Sequence, residues 1–237
     1  MTGTGRAVGP GIGRLLAALQ FGDSLLPTGS FAFSNGLESA VQHAIVHDRA
    51  TLAEFTLTAV RRSATTDGIA LLAAHRGAGA RDLPRIKAAD HAAFSHKLSE
   101  EARTMTTRMG RKLAELATRV AAAPVLGRWL TEVTQRETPG TYPAGLGVLF
   151  ADLGSPEEDA FTVHQYGVAA TTLGAALRLM RIEPAEVQAI LRQVTAGTRV
   201  QYAEVRGASQ ADMAAFAPMA DILAAIHVRS HVRMFMN

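Results

Sequence analysis

The sequence predicts an all-α fold, a single-domain bundle of about ten or eleven helices. Three observations carry that expectation. Apolar residues recur at intervals of three and four along nearly the whole chain, which is the spacing of one helix face. Between these runs stand helix-start signals, a capping side chain with an acid three residues on. No run of alternating β-branched residues appears, so nothing asks for a sheet.

In chain order, residues 1–11, MTGTGRAVGPG, hold one arginine and no apolar run. They read as a flexible N-terminal arm without the features of a secretory leader, and the helical domain is expected over 12–237. Helical spacing begins at 12–21. Asn35 with Glu38 has the spacing of a cap and its third helical residue, opening a helix over 36–47. Thr51 with Glu54 opens 52–63, and spacing alone gives 67–77 and 82–93. Over 96–121, Leu98, Ala102, Met105, Met109, Leu113, Leu116 and Val120 step by three or four into one stripe, and charged residues occupy the other face. Pro124 suits the first turn of 124–137. After a helix at 142–152, Ser155-Pro156 with Glu158 opens 157–181, and Pro184 opens 184–205. Ser209 with Asp212 marks a last helix near 210–229.

With 48% hydrophobic residues in 237, the chain can build one sizeable core. The formal charge of +3 is small for this length, which argues against a nucleic-acid partner. Arg108, Arg111, Lys112 and Arg119 form a basic patch, but Glu115 lies four residues from both Arg111 and Arg119, and pairing along the helix accounts for much of it. Only Lys87, Lys97 and Lys112 are lysines. Such an arginine excess suits bidentate contacts to carboxylates at interfaces and is equally explained by codon usage. Cysteine is absent, which removes disulfides and thiolate chemistry and is compatible with a reducing, cytoplasmic compartment. The run from Phe161 to Leu177 carries no formal charge, yet it holds His164, Gln165, Thr171 and Thr172 at the short limit for a bilayer span. It reads as a buried helix, with no membrane partner.

Reactive chemistry is hard to place. His43 with His47, and His227 with His231, have the i,i+4 spacing that puts two ligands on one helix face. Neither pair is H-E-x-x-H, since Ala44 and Val228 stand where the glutamate would be, and no third ligand is evident. A small helical metalloenzyme using one of these pairs is the alternative reading. Gly9, Gly11 and Gly13 follow no strand, no phosphate-binding loop occurs, and no G-x-S-x-G positions a nucleophile. No cofactor is expected.

The most specific stretch runs from Leu26 to Glu38, LPTGSFAFSNGLE. Pro27 fixes its own backbone and Gly29 can take a positive φ, so the segment is a defined turn before a helix. Phe31 and Phe33 in that turn either anchor a partner or fill the core. Downstream stand Glu101-Ala102-Arg103, then Met109-Gly110-Arg111-Lys112-Leu113, then Tyr142-Pro143-Ala144-Gly145-Leu146-Gly147, and a tail with His231, Arg233, Met234, Phe235 and Asn237.

In this order, over roughly residues 12–237, these segments resemble the signatures of the UreF-type urease accessory proteins. The first motif is met by Leu26, Pro27, Gly29, Ser30, Phe31, Ser34, Gly36, Leu37 and Glu38. The chain departs from the family at 178–188, where only Arg178, Leu179 and Gln188 keep the pattern, and at Val232, which follows His231 in place of a glutamate. The resemblance implies an all-α, non-catalytic protein. It would bridge the UreD- or UreH-type accessory protein and the nickel-carrying GTPase UreG, help deliver nickel to urease apoprotein, form homodimers and influence GTP hydrolysis by the GTPase. Partner-binding residues are then expected at Pro27, Gly29, Phe31, Phe33, Ser34, Glu38, Glu101, Arg103, Arg111, Arg229, Arg233 and Phe235. The tail from His227 to Asn237 is expected to order on a partner, with docking on its own bundle as the other reading.

Overall fold

A computed structural model describes residues 10–23, 25–214 and 234–235. The arm over 1–9, most of the helix expected near 210–229, and His227, Arg229, His231 and Arg233 lie outside the described residues. Within them there is no strand, and the all-α class holds. Among the described residues, nine helices of eight residues or more are present when the rod over 49–79 is counted once, and Leu37–Gln42 adds a short one of six residues. Counted by the nine longer helices, the expectation of ten or eleven is slightly off, and the reasons are local.

The helices expected over 52–63 and 67–77 are continuous. Asp48, ahead of the expected Thr51, is the cap: its carboxylate accepts from the Thr51 backbone N–H at 2.8 Å, and Thr51 Oγ1 accepts from the Asp48 N–H at 3.1 Å. The helix then runs as Arg49–Ser63, passes through a π turn at Ala64–Gly68 and goes on as Ile69–Gly79. Conversely, the element expected over 184–205 is two helices, Pro184–Thr195 and Thr198–Val205, broken where Gly197 lowers helix propensity. The helix expected over 36–47 stops at Gln42, because Ala44 is left-handed at φ 56°.

The remaining helices are Pro10–Gly22, Leu83–Ser95, Glu100–Val120, Pro124–Thr134, Tyr142–Asp152 and Glu157–Leu179. Tyr142–Asp152 is apolar on every face and buried from Pro143 to Phe150, as a helix at the centre of a core must be. It packs against Ile69–Gly79 and Glu100–Val120. Trp129 and Phe161 are fully buried around it, as is its own Phe150. Truncating any of these to alanine is worth about 3–5 kcal/mol.

Two apolar clusters make up the interior. The first joins Ile69–Gly79, Leu83–Ser95, Pro124–Thr134 and Tyr142–Asp152, and the second joins Leu37–Gln42, Arg49–Ser63, Pro184–Thr195 and Phe235. Glu157–Leu179 crosses both, giving Ala160 and Phe161 to the first and Ala169, Leu173 and Ala176 to the second. The 49–79 helix crosses both as well, with its π turn near the joint.

The stripe expected on 96–121 is only partly the buried face. Leu98 and Val120 are each 63% exposed, and the buried residues are Thr106, Gly110, Leu113, Ala114 and Ala117. Close approach selects this face: a Cβ on Gly110 would overlap the backbone of Gly140 and Thr141, so the helix presents small residues there. Ala102, Met105 and Met109 turn toward a groove instead.

Candidate functional site

The Leu26–Glu38 motif folds as a tight turn. Gly29 and Gly36 take φ of 90° and 82°, and Asn35, directly before Gly36, takes 53°. A 3-10 turn at Ser30–Ala32 is closed by the Ala32 N–H on Gly29 O at 3.2 Å and the Phe33 N–H on Ser30 O at 3.1 Å. Its two aromatics separate: Phe33 is buried in the protein, and Phe31 is 76% exposed. Pro27 and Gly29 are exposed and Ser34 is buried, with its Oγ accepting from the Glu38 N–H at 3.4 Å. Asn35 does not cap the helix; its Nδ2 donates to Thr172 Oγ1 at 3.2 Å, and Gly36 holds the cap position.

Glu38 also departs from the expected capping box. It is buried, and a carboxylate in that setting needs donors. They come from the other end of the chain: the backbone N–H groups of Met234 and Phe235 donate to Glu38 Oε1 and Oε2 at 2.7 and 3.1 Å. Phe235 is buried in the second cluster, so this part of the tail docks on its own bundle. Between motif and tail stands Arg178. Its guanidinium carbon lies 3.9 Å from the ring centroid of Phe31 and 3.9 Å from that of Phe235, and its Nη2 donates to Phe31 O at 2.8 Å.

The other expected residues lie apart from this contact. Arg103 is exposed, donates from Nε to Lys97 O at 2.8 Å and stacks over Phe94. Arg111 pairs with Glu115 at 2.9 Å, the intrahelical pairing read from the sequence. Glu101 lines a groove of about 1350 Å³ that opens beside Phe31, between Pro10–Gly22, the π turn, the 96–99 loop and Glu157–Leu179. Leu19, Leu98, Tyr166 and Leu177 give it an exposed apolar rim.

Sequence reasoning did not find the polar cluster on the wall of this groove. The π turn carries Asp67, whose two oxygens accept from Lys97 Nζ at 2.7 and 2.6 Å. His164 Nε2 is 4.0 Å from Asp67, and its Nδ1 is 3.4 Å from Ser63 Oγ. Burial lowers the His164 pKa to about 4, so the ring is neutral near pH 7. Burial pushes the Asp67 carboxyl up, and Lys97, through its charge and hydrogen bond, together with His164 and Arg62 more than offsets it, leaving the pKa below its ordinary value. Burial also pushes Tyr142, whose ring is 6.1 Å from that of His164, up to about 12.

Serine, histidine and aspartate at these distances share the composition of a hydrolytic triad without its geometry. Both Asp67 oxygens are engaged by Lys97, and 4.0 Å is too long for the hydrogen bond that orients a catalytic imidazole. The cluster's chemistry is that of a buried ion pair and a neutral imidazole. The signal for it in the sequence was a lone histidine within the charge-free run from Phe161 to Leu177.

The alternative metal reading loses its geometric premise at the first pair. Its helix ends at Gln42, so His43 and His47 share no helix face; each turns Nδ1 to a nearby backbone carbonyl, Ser39 O and Ala44 O respectively. No group of three or more potential ligands occurs among the described residues. No helix among them is long and apolar enough to cross a membrane.

Fold and site together define a helical protein organised around a surface contact in which an exposed aromatic is held by the rest of the chain. The comparisons make that class specific. The UreF family model matches residues 46–195. The chain is 55% identical over 223 residues to urease accessory protein UreF 2 of Brucella canis, covering 94% of this chain and 92% of the relative, and equally so to that of Brucella abortus. It is 45% identical over 225 residues to urease accessory protein UreF of Yersinia pseudotuberculosis, covering 94% and 98%. The chain belongs to the UreF family of urease accessory proteins, and like those relatives it is an accessory protein rather than an enzyme.

Proposed function

We propose that this protein is a non-catalytic scaffold in maturation of the urease nickel centre. It bridges the UreD- or UreH-type accessory protein and the UreG GTPase, working as a homodimer in the cytoplasm. Family membership over most of the chain supports the pathway. The observation that carries a contact function is Phe31: a large aromatic, 76% exposed, on a turn fixed by two positive-φ glycines. A side chain that stabilised only the fold would be expected inside, whereas an aromatic held rigidly at the surface loses little entropy on binding.

The tail is part of the same reading. Arg229 and Arg233 offer bidentate donors for a partner carboxylate, while buried Phe235 anchors the described part of the tail. Exposed Ile12, Leu15, Leu16 and Leu19 on the first helix support self-association, since monomers rarely leave so much contiguous apolar surface in water.

The test is co-purification with the UreD-type and UreG-type proteins. Phe31→Ala should stay folded, with an unchanged melting temperature, and lose most capture of the UreD-type partner; truncation of an interface anchor typically costs about 2 kcal/mol or more. Full capture by a folded Phe31→Ala variant would refute this assignment.

A further inference from the structure

Phe31 and Phe235 are 204 positions apart in the chain (235 − 31), and the described contacts give them one shared neighbour. The guanidinium carbon of Arg178 stands over both rings, 3.9 Å from each centroid, so the two rings share one cation. Nη2 is held by Phe31 O, while Nε is buried without an acceptor among the described residues. Among the described residues the two rings and one carbonyl contact this partly buried cation, and burial lowers its pKa. We propose that Arg178 is a positioning residue that couples the N-terminal motif to the C-terminal tail: seating Phe235 fixes the guanidinium, and the guanidinium fixes the Phe31 turn. Removing either ring takes away one of the contacts that hold the guanidinium in place and so weakens its hold on the other ring. Coupling of this kind is reciprocal by thermodynamic necessity.

The consequence for partner capture rests on the functional reading above, because it is there that motif and tail both become contact surface. The coupling itself belongs to the isolated chain and has its own reporters. Met234 and Phe235 N–H groups, bonded to Glu38, report the tail; Ala32 and Phe33 N–H groups, bonded to Gly29 and Ser30, report the turn.

Amide-resolved hydrogen exchange on the full chain, without partners, tests it. Phe31→Ala alters an exposed ring, yet exchange at Met234 and Phe235 should quicken by about fivefold or more. Phe235→Leu should quicken exchange at Ala32 and Phe33. In an Arg178→Gln background, Phe31→Ala should add nothing at Met234 and Phe235, which a purely structural role for the arginine would not produce. Unchanged tail exchange in Phe31→Ala, or an undiminished effect in the Arg178→Gln background, would overturn the coupling. Partner capture measured on the same variants keeps the two readings separate: coupled exchange with undiminished capture upholds the coupling and refutes the contact function of Phe31.

Discussion

Asp90 shows how a single residue fixes a loop. Its buried carboxylate accepts from Thr138 Oγ1, the Gly140 N–H and the Thr141 N–H at 2.7, 2.8 and 2.7 Å, tying Leu83–Ser95 to the entrance of Tyr142–Asp152. Three donors lose their acceptor in Asp90→Ala, so we expect a loss of about 3 kcal/mol in denaturant unfolding. Thr138→Val, which removes one of the three bonds, should lose about 1 kcal/mol. Near-wild-type stability for Asp90→Ala would refute the role. At this scale the sequence is a partial guide. The turn over Leu26–Glu38 was legible because proline and glycine restrict or free their own backbones. Glu38 was not, because its donors stand 196 and 197 positions away and no local pattern carries such a pairing. Arg178 was visible only as a matching letter in a diverged segment; its role needs both rings in space.

At the scale of elements, the cap-and-acid signals located helix starts to within a few residues, and Pro124 and Pro184 occupy first-turn positions. Breaks were less legible. Ala44 ends a helix through its positive φ and Gly197 breaks one through weak helix propensity, and 63–69 remains helical although its apolar spacing falters there. That π turn sits against Phe161: a Cβ on Gly68 would stand 2.6 Å from the ring. Gly68→Ala must shift a fully buried aromatic and should destabilise by about 1–3 kcal/mol, read as a lower unfolding midpoint. Gly79→Ala, in the same rod with open space around it, is the control and should leave that midpoint nearly unchanged or raise it. Equal effects at the two positions would show that helix propensity, and not the Phe161 contact, governs Gly68.

For the whole molecule, the cluster beside the groove sets a pH dependence. His164 has a pKa of about 4 when folded against an ordinary 6.5, so between these values the unfolded chain takes up a proton that the folded chain does not. Stability is therefore complete above pH 6.5 and falls as pH drops toward 4, by about 3 kcal/mol for this group. The lowered Asp67 pKa acts in the same direction at more acid pH: its contribution is present above its ordinary 3.8 and is lost as pH falls through the folded value. Unfolding midpoints measured from pH 7 to 4 should decline, and His164→Gln should flatten that decline. An unaltered slope would mean that the imidazole is solvated when folded. Self-association should appear in the same preparations. Light scattering at tens of micromolar is expected to give twice the 25.1 kDa chain mass, and Leu15→Glu with Leu19→Glu should return it to monomer.

The scarcity of lysine has a practical side. Lys97 is engaged by Asp67, Lys87 by Glu132 at 2.7 Å, and Lys112 stands 3.9 Å from Glu115, so the chain's three amine side chains all have carboxylate neighbours. None of them lies in the Leu26–Glu38 turn or beside Phe235. Reagents that join proteins through lysine amines will therefore report on contacts near that surface only through Lys97 on the groove wall, and a sparse cross-link map from them is no sign that partners are absent. Photoreactive groups placed at Leu25, which is 85% exposed beside the turn, would report on it directly.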